Sequence, residues 1–147
     1  MKARKKRVLV SSCLLNEMCR YDGTKKMNIA DDLKDYEIIS FCPEKFMGVP
    51  RKKISLEMIN ENINVVCEDG MNLTKVLSTE IDDFMNACES FDKIILKSKS
   101  PSCGFKTTPI LDEGEIKIAN GLLVHKLLEV YDEAIFFDET NYKENIC

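Results

Sequence analysis

The chain has 147 residues, 44% of them hydrophobic and 31% charged, with six Gly and four Pro. That is the length and composition of one soluble globular domain with a core of its own, which excludes disorder, collagen and coiled coil. Acidic residues outnumber basic ones 25 to 21, for a net charge of −4. No broad positive field exists to hold DNA by its phosphates, and no apolar run approaches the ~20 residues of a membrane span.

The predicted elements follow in chain order. A basic tip leads into residues 7–12 (RVLVSS), a β-branched strand. The tip superficially resembles a lipoprotein signal ending at Cys13. Its apolar part, Val8, Leu9 and Val10, is far shorter than the roughly 7 to 15 residues a signal core needs, so a cytoplasmic chain is expected. Residues 28–33 suggest a short helix, and residues 36–41 (YEIISF) a second strand. Residues 63–67 (INVVC) form a weaker strand candidate. Residues 73–89 carry Val76, Leu77, Ile81, Phe84, Met85 and Cys88 at helical spacing, with Asn72 or Thr74 as cap. A strand at 93–97 (KIILK) follows, then a hairpin at 110–118 turning at Asp112, Glu113 and Gly114. A helix at 121–129 and a strand at 133–138 (EAIFFD) complete the pattern. Strands alternating with helices predict an α/β fold: a mostly parallel sheet flanked by helices, Rossmann-like and three-layered, in a single domain over 1–147.

Seven cysteines, an odd and widely spread set, indicate reduced thiols in a reducing compartment, some of them ligands or nucleophiles. Cys13 follows the first strand, Cys42 the second, and Cys103 lies six residues past residue 97. Ligands of parallel sheets collect beyond the strands' carboxyl ends, so these three cysteines, 29 and 61 residues apart, are expected at one edge of one sheet. Pro43 and Pro101 stiffen their loops, and Gly104 permits a sharp turn beside a sulfur. Lys97, Lys99 and Arg20 are positioned to lower thiol pKa and to offset thiolate charge.

Three thiolates do not make an ordinary structural zinc site, which closes with four ligands, often in short paired spacings. The single histidine, His125, falls within a predicted amphipathic helix. Iron–sulfur clusters normally take four thiolates, and three would leave one iron open to a substrate atom. Three buried structural thiols remain an equal reading of the spacing. Cys19 is a spare ligand, a sulfur acceptor or a structural thiol. Cys67 and Cys88 read as apolar fillers, and Cys147 as an exposed terminal residue.

Three blocks carry a resemblance. They are Ser11-Ser12-Cys13-Leu14-Leu15 with Cys19-Arg20-Tyr21-Asp22-Gly23, then Cys42-Pro43-Glu44 with Gly48-Val49-Pro50-Arg51, and Leu96-Lys97 with Ser100-Pro101-Ser102-Cys103-Gly104. In order and spacing, over nearly the whole chain, the sequence resembles the thiouracil desulfidases. That resemblance implies a 4Fe–4S cluster on Cys13, Cys42 and Cys103 with one iron left for the sulfur of a thiolated pyrimidine such as 2-thiouracil. It implies replacement of that sulfur by oxygen from water, without net redox change and with release of sulfide. By motif position Glu44 and Ser100 are the catalytic residues, with Ser12, Arg20 and Ser102 as candidate substrate contacts. The partner is then a small thiolated nucleobase, and the chain a monomer or homodimer.

A carboxylate two residues from a ligand can move protons for an attacking water. Ser100 and Ser102 are neighbours, and the sequence leaves open which one faces the site. Two departures, Asn16 in place of a Gly and the shortened segment 47–51, fall in loops that would line the substrate site and leave the substrate open. Two other readings stand beside this one: a sulfur-carrier or redox-sensing module without turnover, and a metal-free thiol protein using Cys103 as a low-pKa nucleophile.

Overall fold

The computed structural model describes residues 5–15, 28–44, 53–88 and 90–145. Its strands are β1 (Lys6–Ser11), β2 (Tyr36–Phe41), β3 (Ile54–Ile59), β4 (Asn62–Cys67), β5 (Lys93–Leu96), β6 (Thr108–Asp112), β7 (Glu115–Ala119) and β8 (Phe136–Asp138). Two helices, α1 (Thr74–Ala87) and α2 (Leu122–Leu127), complete the regular structure with several short 3₁₀ turns. The α/β class expected from the pattern is found, with one difference: the strands form two four-stranded sheets.

The first sheet runs β2-β1-β5-β8 and is parallel throughout. Its order places β2 on one side of β1 and β5 on the other, so the winding reverses at β1. In parallel sheets that reversal opens a crevice beyond the carboxyl ends. The period-2 alternation of a strand then divides β1 between two cores. Leu9 joins a large cluster with Leu77 and Ile81 of α1 and Leu123 and Leu127 of α2. Val8 and Val10 face a smaller cluster with Leu14, Leu33 and Tyr142.

That smaller cluster is covered by the 3₁₀ turns Ser12–Leu14, Ala30–Leu33 and Tyr142–Asn145 rather than by a full helix. The helix expected at 28–33 is one of these turns. The Asn28 side chain accepts the Ala30 N–H, which favours a tight turn over a helix.

The second sheet runs β4-β3-β6-β7, with β3 and β6 parallel and both outer pairs antiparallel. β4 belongs here and not to the parallel sheet. β3 had no counterpart in the sequence reading, although buried Ile54 and Leu56 alternate with exposed Ser55 along it. Both hairpins close through two-residue turns at positive φ, Asn60 and Glu61 in one, Glu113 and Gly114 in the other.

α1 begins one residue inside the expected span, and Asn72 accepts the Thr74 N–H at 3.0 Å. Thr74 instead turns its hydroxyl to the Val65 N–H of β4. Val76, expected inward, is 45% exposed, and the buried stripe is Leu77 and Ile81. β8 is half the expected length, because residues 133–135 form a 3₁₀ turn capped by Asp132.

Candidate active site

Three parallel strands deliver their following residues to one place. Ser12 and Cys13 continue β1, Cys42 and Glu44 follow β2, and residues 97–103 follow β5. Together they line a cavity of about 520 Å³, closed on its far side by the first residues of β3 and β6. Cys13, Cys42 and Cys103 all line it, as do Glu44, Ser12, Ser100 and Ser102. Of the seven buried polar or charged residues among those described, six line this cavity: Ser11, Ser12, Glu44, Ser98, Ser102 and Thr108. Burying polar groups is costly unless they are paired, so this concentration marks the carboxyl edge as a site rather than a core.

The segment after β5 is fixed by long-range hydrogen bonds. The Lys97 N–H donates to Ser11 Oγ at 2.9 Å. Glu139, just past β8, receives Lys97 Nζ at 2.8 Å, Ser98 Oγ at 2.6 Å and the Ser98 N–H at 2.8 Å. Thr108 Oγ1 donates to the Ser100 carbonyl. From α2 the Leu122 and Leu123 N–H groups donate to the carbonyls of Pro101 and Ser102 at 3.1 and 2.7 Å.

Two glycines admit this packing. A Cβ on Gly121 would stand 2.6 Å from the Ser102 carbonyl carbon, and one on Gly104 would stand 2.0 Å from Thr108 Oγ1. Gly104 is absent from the residues at positive φ. Its value is close approach rather than the sharp turn expected from sequence.

The two serines differ in what they touch. Ser102 is fully buried, and its Oγ donates to Glu44 Oε2 at 2.6 Å. Ser100 Oγ accepts the N–H groups of Ser102 and Cys103 at 3.3 and 3.1 Å and lies 3.2 Å from Ser102 Oγ. The hydroxyl on the carboxylate is therefore that of Ser102, while Ser100 stabilises the turn that carries Cys103.

Cys103 is 4% exposed, whereas Cys13 and Cys42 are half-buried, and none of the three is in a disulfide. Burial, with the neighbouring Cys42 acting in the same direction, pushes the Cys103 thiol up to about 12. The flanking lysines do not lower it, contrary to the sequence reading. Lys97 pairs with Glu139, and Lys99 is exposed at a φ of 64° with its N–H on Thr107. Glu139 is half-buried, which would raise its pKa, but its bonds from Lys97 and Ser98 outweigh this and hold it below the usual glutamate value.

Arg20 and Cys19, with the rest of residues 16–27, lie outside the described residues, as do segment 45–52 and Cys147. His125 is exposed on α2 and absent from the cavity wall. Cys67 is buried in the large core, with Cys88 packed against it. Among the described residues no three His, Cys, Asp or Glu side chains stand close enough to share one metal ion. None of the described helices is long and apolar enough to cross a membrane.

The family model for 2-thiouracil desulfurase matches residues 8–139, which include all three cavity cysteines and Glu44. The chain belongs to the 2-thiouracil desulfurase family. A solved structure described as a 4Fe–4S-dependent thiouracil desulfidase, TudS, is 30% identical to this desulfurase-family chain, with a TM-score of 0.71 over 95% of each chain. No curated protein matches it. Glu139, which the sequence reading did not single out, is the last residue of the matched desulfurase segment. Its only sequence signal is an acidic residue just past a strand of the parallel sheet.

Proposed function

We propose that this chain is a C–S bond hydrolase that removes sulfur from a small thiolated pyrimidine, such as 2-thiouracil, and replaces it with oxygen from water. The observation that carries the reading is the convergence of Cys13, Cys42 and Cys103 with Glu44 on one cavity at the carboxyl edge of the parallel sheet.

The donor set fits a 4Fe–4S cluster. Thiolates are the ligands of such clusters. A single ion would hold every thiolate at about 2.3 Å, whereas a cluster spreads them over separate irons and needs no such close approach. Cys13, Cys42 and Cys103 would hold three irons, and when bound the cluster supplies a Lewis-acidic iron that polarises the thiocarbonyl. Glu44, buried beside the thiols and bonded to Ser102, takes the proton of the attacking water. Ser100 lies on the same wall, where it keeps the backbone around Cys103 in place. Burial of the cavity's serines keeps bulk water from competing for these bonds. The five described cysteines form no disulfide, which suits a reducing compartment, and we take the chain to be cytoplasmic and a single desulfurase domain.

A metal-free nucleophile draws no support from this site, because burial pushes the Cys103 thiol up, away from the thiolate such chemistry uses. The test is anaerobic reconstitution with iron and sulfide. The loaded protein should contain iron and acid-labile sulfide in cluster stoichiometry and release sulfide from 2-thiouracil. Replacing Cys13, Cys42 or Cys103 by Ala should abolish both. Activity persisting in all three variants would overturn the reading.

A further inference from the structure

The hydrogen-bond directions around Ser102 are set by counting protons. A serine hydroxyl has one proton to give. Ser102 gives its proton to Glu44 Oε2 at 2.6 Å. Ser100 Oγ receives two backbone N–H groups, at 3.3 and 3.1 Å. Its own proton therefore points outward, and the Ser102 oxygen 3.2 Å away is an acceptor for it. The bonds run one way, from Ser100 to Ser102 to Glu44. Ser102 is fully buried, and its third polar neighbour is the Cys103 sulfur at 3.6 Å. Its single proton is committed to the carboxylate, so it has none to offer a substrate.

We infer that Ser102 is a positioning residue: it does not bind substrate, but holds Glu44 at one fixed orientation on the cavity wall and is the link through which Ser100 reaches that carboxylate. The inference rests on the proposed desulfuration and assigns Ser102 a role other than substrate contact. A carboxylate serving as proton acceptor must be held within hydrogen-bond reach of the proton it takes. Without the Ser102 hydroxyl, Glu44 loses the 2.6 Å bond that fixes Oε2 on this wall, while the cysteines stay in place.

The experiment is a double-mutant cycle on reconstituted protein with 2-thiouracil, comparing wild type, Ser102→Ala, Glu44→Ala and the double variant. Ser102→Ala should lower kcat by roughly 10- to 100-fold, part of the 10²–10⁴ that general-base catalysis supplies. KM and iron content should stay within about two-fold of wild type, and the double variant should be no slower than Glu44→Ala alone. A rise in KM at unchanged kcat, loss of iron, or a double variant slower by the full Ser102→Ala factor would overturn the inference and leave the desulfuration intact. Should the loaded wild type release no sulfide, the desulfuration reading itself falls, and the positioning is read without turnover. In the metal-free protein, the infrared carboxylate band that disappears in Glu44→Gln should shift in Ser102→Ala. An unmoved band would refute the contact.

Discussion

The two ends of this molecule solve the problem of ending strands in opposite ways. At the hairpin turns of the second sheet, β3 meets β4 and β6 meets β7 through two residues each, using positive φ and local chemistry alone. At the carboxyl edge of the parallel sheet, β1, β2 and β5 run into longer irregular segments. Those segments are held by partners 58 residues apart for Ser102 and Glu44, and 86 apart for Lys97 and Ser11. Short turns satisfy their own backbone and need nothing else. Irregular loops cannot, so their polar groups must be met by side chains from elsewhere, and the result is a polar cavity with fixed geometry. The difference teaches that function sits where satisfaction is non-local.

This contrast can be broken or sharpened by substitution. The largest effect should come from Glu44→Ala, with kcat falling about 10²- to 10⁴-fold while iron content and absorption are retained. A carrier or sensor module would lose nothing measurable in sulfide binding, so sulfide release against iron stoichiometry separates the two. Next is Gly121→Ala, whose new Cβ would press on the Ser102 backbone at 2.6 Å. It should cost about 1–3 kcal/mol of stability and lower iron occupancy, read by thermal denaturation and iron analysis.

Glu139→Gln should cost about 1 kcal/mol at neutral pH. The folded pKa of Glu139 is lowered, so its stabilisation is complete above the unfolded value of about 4.3 and lost as pH falls through the folded one. Urea titrations of wild type and variant should therefore converge in acid. A gap that widened there would contradict the Lys97–Ser98 pairing. The smallest change belongs to the hairpin end. Ile116→Thr, at a side chain 67% exposed on β7, should shift stability by no more than about 0.5 kcal/mol and leave turnover untouched.

Much of this was legible in the chain itself. β1, β2 and β5 announce themselves by short β-branched runs, and the Asp112-Glu113-Gly114 turn by its residue types. Strands placed that way suffice to bring Cys13, Cys42 and Cys103 to one edge. β3 escaped because its residues, ISLEMI, mix Leu, Met and Glu, which favour helix as readily as strand. Its pairing with β4 and β6 decided the matter. The halves of the molecule that the strands join were equally invisible, since periodicity reports that a face is buried but not against what. Ser100 and Ser102 are two residues apart in a proline-bearing turn, where no repeating period assigns a direction to either side chain. Glu139 had no motif at all.

The sequence by itself determined the class of fold, the order of the parallel strands' loops and the identity of the thiols, because these follow from local propensity and from where a strand must stop. Only the tertiary structure decided that there are two sheets, that Ser102 faces Glu44, and that burial pushes the Cys103 thiol up while Lys97 turns to Glu139 instead. Each of those depends on which distant segments share a low-dielectric space, and no residue carries that information alone.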